Sequence, residues 1–98
     1  MKLGVFVSQY SRENDTLSRL KAEKLGVILV QNGVYNAALK EDGKSSPILD
    51  KGTTVYALSE DLQTRGLSVD SVDSKVKVVD YDGLVDLIFN EYEKIIWL

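Results

Sequence analysis

The sequence predicts an α/β fold, a three-layer sandwich built on a mainly parallel five-stranded sheet within one domain spanning residues 1–98. Three observations predict it. Short apolar runs alternate along the chain with segments of helical periodicity. One run, Val27-Ile28-Leu29-Val30, is aliphatic at four consecutive positions, as a strand is when both of its faces are covered. Turn and capping residues fall between the runs at the spacing that βα units require. Right-handed crossovers and short connections favour a flavodoxin-like strand order such as 2-1-3-4-5.

Leu3 to Val7 forms the first strand, and the polar stretch from Ser8 to Asp15 reads as a loop. Asn14 or Asp15 can cap a helix that carries Leu17, Leu20 and Leu25 inward, with Gly26 at its end. Val27 to Val30 is the central strand. Asn32-Gly33 follows it, and Asn-Gly is the strongest short hairpin signal. However, the next segment is Ala-rich and brings Val34, Ala37 and Ala38 onto one helical face. Strand, tight turn and helix is therefore the expected arrangement, with Asn32 as N-cap.

Glu41 to Lys51, with Asp42-Gly43, Ser45-Ser46-Pro47 and Lys51-Gly52 at its close, is the most loop-like region and is expected to be mobile. Thr53 to Leu58 is β-branched and aromatic-rich, a third strand. Ser59 caps the next helix, with Glu60 and Asp61 in the first turn where the helix dipole favours acids, and Arg65-Gly66 ends it. Val76 to Val79 is the fourth strand. Asp80 or Asp82 caps a helix with Leu84, Val85, Ile88 and Phe89 on one face, and Lys94 to Leu98 is the last strand.

Composition removes several function classes. The chain has 12 Lys+Arg against 15 Asp+Glu, a formal net charge of −3 with the signs interspersed, which gives no basic tract for phosphate contacts. Direct nucleic-acid binding is not expected. No apolar run approaches the roughly 20 residues of a membrane span, and Gly4 to Val7 is too short for a signal-peptide core, so a cytoplasmic protein is expected. With 0 His and 0 Cys, the commonest general base, the commonest transition-metal ligand and every thiol chemistry are missing. No cofactor or metal is implied.

In this architecture ligands gather beyond the carboxyl ends of the strands: Ser8 and Gln9, Gln31 to Tyr35, Ser59 to Asp61, and Asp80 to Asp82. A phospho-receiver site needs carboxylates where Ser8 and Gln9 stand. Asp42-Gly43-Lys44-Ser45 imitates the tail of a P-loop, but Ala38 occupies the position of its first glycine. Asp80 and Asp82 could be acid–base groups of a hydrolase, although helix capping accounts for them more simply. Asp61 and Arg65 stand at i and i+4, the spacing of an exposed ion pair worth a few tenths of a kcal/mol. Tyr35 and Tyr56 read as core or interface aromatics. Trp97, beside the terminus on an expected edge strand, favours a partner surface. The residues alone describe a binding or assembly module.

Val30-Gln31-Asn32-Gly33-Val34-Tyr35-Asn36-Ala37-Ala38 resembles the "QDGVYAA" segment of the DsrH/TusB family of sulfur-relay proteins. The resemblance continues through Val55-Tyr56-Ala57-Leu58 and Ser59 to Gly66, including Asp61 and Arg65. It runs on through Val79 to Leu87, including Tyr81, and closes on the penultimate Trp97. Asn32 stands where the family commonly has Asp, and the cysteine that some members carry on the first helix is missing. The resemblance implies a DsrE/F/H-like fold and assembly with TusC-like and TusD-like (DsrF- and DsrE-like) subunits. The sulfur would end in the 2-thiouridine of a tRNA wobble base, or serve sulfur oxidation in a DsrH-like role. A chain without a thiol would be a non-catalytic subunit there. The partner- or ligand-binding positions implied are Gln31, Asn32, Gly33, Val34, Tyr35, Ser59, Asp61, Arg65, Tyr81 and Trp97. The alternative is a stand-alone homo-oligomer that binds a small anion at the Gln31–Tyr35 turn.

Overall fold

The computed structural model describes residues 2–8, 24–38 and 54–97. The loop expected over Glu41–Lys51, and most of the helix expected after Asn14, lie outside the described residues. The strands are β1 (Lys2–Val7), β2 (Lys24–Leu29), β3 (Thr54–Leu58), β4 (Val76–Val79) and β5 (Lys94–Trp97). They form one sheet in the order β4-β3-β2-β1-β5, and every neighbouring pair is parallel. The parallel five-stranded α/β class is as expected, whereas the order 2-1-3-4-5 is not. The chain winds from β1 to β4 in one direction and returns once, to place β5 beside β1.

That winding decides where the helices go. Right-handed crossovers that step the same way put their helices on one face of the sheet, and the returning crossover puts its helix on the other. A 3₁₀ turn over Gln31–Val34 runs into α1 (Tyr35–Ala38), and α2 (Ser59–Thr64) follows β3. Val34, Ala37 and Leu62 from these segments pack with Leu3, Val5, Val7, Val27, Leu29, Val55 and Ala57. The alternate residues Phe6, Ile28, Tyr56 and Leu58 point the other way and meet Leu84 of α3 (Tyr81–Glu91), together with Tyr92. Period-2 alternation with both faces apolar is what makes β2 read as a continuous hydrophobic run. It is the central strand, and Val27, Ile28 and Leu29 are wholly buried.

Several local expectations are corrected. Gly26 does not end a helix: it lies inside β2, opposite Gly4 of β1. Together the two glycines form a flat floor for the Tyr92 ring. A Cβ on Gly26 would collide with the Tyr92 ring at Cζ and Oη, and one on Gly4 would lie 2.7 Å from Ile95 Cδ1. Ser59 is the first residue of α2 and not its cap; Leu58 holds the N-cap position without a side-chain bond. Asp80 does cap α3, its side chain accepting from the Gly83 N–H at 2.8 Å. The end at Arg65-Gly66 is also as expected. Gly66 has φ +69°, and Leu67 N–H donates to Leu62 C=O while Gly66 N–H donates to Gln63 C=O, the paired bonds of a Schellman motif. No helix among the described residues is long and apolar enough to cross a membrane.

Candidate functional site

The turn after β2 departs from ordinary backbone geometry. Gln31 has φ +50°, in the left-handed region that costs a residue with a Cβ about 1–2 kcal/mol. Its surroundings hold it there. The Gln31 N–H donates to Asp61 Oδ2 at 2.7 Å, and the Gly33 N–H donates to Val30 C=O at 2.8 Å. Gly33 presses against the end of β1 so closely that a Cβ would overlap the Val7 carbonyl oxygen. Here the Asn-Gly pair marks a close backbone approach, and no hairpin forms. Val34, wholly buried, anchors the turn in the core, and buried Asn36 donates from Nδ2 to Gly33 C=O at 3.0 Å.

Asn32 is not the helix cap. Its Oδ1 instead accepts from Arg65 Nε at 3.0 Å, across from the end of α2. Arg65 Nη1 lies 3.5 Å from Asp61 Oδ1, with both side chains mostly covered, so this i,i+4 pair is less exposed than its spacing suggested. Gln31, Asp61, Arg65 and Asn32 thus form a closed polar circuit over the carboxyl ends of β2 and β3. A second link runs on from it. Ser59 Oγ donates to Glu60 Oε1 at 2.9 Å, and the Tyr81 N–H donates to Glu60 Oε2 at 3.2 Å, tying α2 to the start of α3. The Glu60 carboxyl is held below the usual carboxylate range, first by its own backbone N–H, against some desolvation, and then by Ser59 and Tyr81. The sequence places Glu60 in the first turn of its helix and among the residues beyond the strand ends, but its link to Tyr81, 21 residues on, has no local signal, and neither does the buried bond from Asn36 to Gly33.

The structure therefore gathers Gln31, Asn32, Gly33, Asp61 and Arg65, joins Ser59 to Tyr81 through Glu60, and leaves Tyr35 half-buried beside them. Trp97 stands apart on the β5 edge, 58% exposed, its ring stacked on Phe6 with centroids 5.0 Å apart. Chemically the circuit is self-contained. Asp61 already fills the N–H that an incoming anion would use, and it balances the Arg65 charge. Among the described residues no three His, Cys, Asp or Glu side chains cluster as a metal site would need.

Comparison with known proteins decides the family. Residues 7–94 match the family described as "DsrH like protein". The chain belongs to the DsrH-like family. The match takes in the three sequence blocks up to Leu87 and stops short of the fourth, Trp97. This DsrH-like chain is similar to "Protein TusB" of Photorhabdus laumondii, 32% identical over 90 residues, covering 92% of this chain and 93% of the relative. "Protein TusB" of Yersinia pestis is 29% identical with the same coverage. Among solved structures, the solution structure of protein Tm0979 from Thermotoga maritima superposes with a TM-score of 0.61 at 28% identity, covering 91% of this chain and 93% of that one. MTH1491 from Methanobacterium thermoautotrophicum, a protein of unknown function, gives a TM-score of 0.68 at 17% identity over 97% of both chains, a likeness of fold alone.

Proposed function

We propose that this DsrH-like chain is a non-catalytic subunit of a sulfur-relay assembly with TusC-like and TusD-like partners, serving 2-thiolation of the tRNA wobble uridine. The observation that carries the reading is the pairing of similarity to a TusB protein over 92% of the chain with a cysteine count of 0. Sulfane sulfur travels as a persulfide on a thiolate, and a chain without a thiol cannot hold it covalently. Its contribution is then to complete the assembly and shape the surface beside a partner's cysteine. The closed circuit of Gln31, Asp61, Arg65 and Asn32 suits that role, since it spends its polar groups on holding a rigid turn. The same circuit argues against a stand-alone anion binder, because the Gln31 N–H already faces a carboxylate.

Co-expression with the TusC-like and TusD-like proteins of the same genome tests the reading. A stable complex on size-exclusion chromatography is expected, as is a loss of tRNA 2-thiouridine when the gene for this chain is deleted. A chain that elutes alone at every ratio, or that by itself moves sulfane sulfur between small molecules, overturns it. A complex whose loss leaves 2-thiouridine unchanged places the assembly in sulfur oxidation instead.

A further inference from the structure

Helix α3 leaves an apolar stripe uncovered. Tyr81, Val85 and Phe89, at i, i+4 and i+8, are 60%, 44% and 80% exposed, while Leu84 is buried against the sheet. The helix borders a shallow cavity of about 310 Å³ on one flank, where Gly83, Asp86, Leu87, Asn90 and Glu91 face Tyr56 of β3 and Val79 of β4, so that Asp86 stands between the cavity and the stripe. By helical phase the stripe lies on the opposite flank, and the exposed Trp97 stacks on Phe6, which shares the sheet face that Leu84 covers. Exposed aromatics gathered on one side of a small domain mark an interaction surface.

The charge beside the stripe narrows the occupant. Asp82 and Asp86 form the adjoining exposed row, and neither has an ion-pair partner among the described residues. Residues 81–91 contain no Lys or Arg. Lys24 is engaged at the far end of the helix by Glu91, 2.8 Å away. A second copy of the chain docked through this face with the two helices antiparallel across a two-fold axis would set one Asp82–Asp86 row against the other. Like charges facing across an interface oppose association.

We infer that the flank of α3 formed by Tyr81, Val85 and Phe89, with Trp97, docks a different subunit of the relay assembly, one that presents an apolar surface rimmed by Lys or Arg. This rests on the subunit role proposed above, and the experiment separates the two. The purified chain is titrated with the purified TusC-like and TusD-like pair at two salt concentrations, using wild type, Phe89→Ser and Asp86→Lys. Circular-dichroism melting first confirms that both variants fold, as the exposure of both positions leads us to expect. Each variant should weaken binding at least tenfold, and Asp86→Lys should also flatten the salt dependence. Variants that bind like wild type overturn the inference and leave the subunit role standing. No wild-type complex at all overturns the subunit role and the inference with it. Self-association of the chain alone that Phe89→Ser abolishes also overturns the inference, because a second copy then covers the stripe.

Discussion

Replacing Gly26 by alanine adds one methyl group, yet it should be among the most damaging changes in the sheet. The new Cβ would fall on the Tyr92 ring, overlapping Oη and Cζ and lying 2.7 Å from Cε1. Tyr92 is buried, its ring under Lys24 Nζ at 5.3 Å, so it cannot swing into solvent without giving up its packing. Overpacking of this kind costs roughly 1–3 kcal/mol, and an off-rotamer ring adds about 0.5–1.5 kcal/mol. Alanine recovers about 0.5–1 kcal/mol through the smaller entropy of its unfolded chain. The net loss is centred near about 2 kcal/mol, within a span of roughly 0.5–4 kcal/mol, against a total stability of about 5–15 kcal/mol for an ordinary domain. In a chain of 98 residues the central value lowers the melting temperature by roughly 8–16 °C. Urea melts of Gly26→Ala, Tyr92→Leu and the double variant complete a cycle. With the ring gone, the added methyl group should cost less than about 0.5 kcal/mol. A Gly26→Ala protein as stable as wild type, or one equally damaged in both backgrounds, would refute the glycine floor.

Gly33→Ala meets a backbone carbonyl instead of a side chain, so nothing cheap can yield. The turn must lift from β1 and loosen the wholly buried Val34, and a loss of about 3 kcal/mol in chemical denaturation is expected. At Gln31 the positive φ sets the sign: Gln31→Val should be about 2 kcal/mol less stable than Gln31→Gly, and equal melts would contradict the strained turn. Burial pushes the Tyr92 phenol above its ordinary value of 10.0, with the neighbouring Tyr56 adding to the shift. The native state thus favours the neutral phenol. That stabilisation is complete below the unfolded value and is lost as pH rises above it. Tyr92 Oη is also buried without a hydrogen-bond partner of ordinary geometry among the described residues, so Tyr92→Phe should be no less stable at neutral pH. The variant should also keep more of its stability than wild type above about pH 10, and parallel losses in the two proteins would argue against the shift.

The features legible in the sequence were those whose causes are local. The aliphatic run at Val27–Val30 identified the doubly covered centre of the sheet, Asp80 announced the start of α3, and Arg65-Gly66 announced the end of α2. Strand order was not legible, because the single return from β4 to β5 depends on which face each helix finds. Gly26 was misread for the same reason: its purpose is Tyr92, distant in the chain, and a glycine near an expected helix end looks like a stop. Asn32 has every local property of a cap. The left-handed Gln31 turns it toward Arg65, an outcome that requires Asp61 to be in place first.

Apolar periodicity has a corresponding blind spot, and α3 exposes it. Leu84, Val85, Ile88 and Phe89 share one helical face, which normally signals a face turned to the core. Leu84 is 5% exposed and Phe89 is 80% exposed, so only part of that face is covered by this chain. Hydrophobic spacing reports that a surface is to be buried and is silent about which molecule buries it. The face that carries the periodicity is part core, at Leu84, and part open surface, at Val85 and Phe89. Phe89 and Trp97, 80% and 58% exposed, are aromatics that the packing of this chain leaves open to a partner.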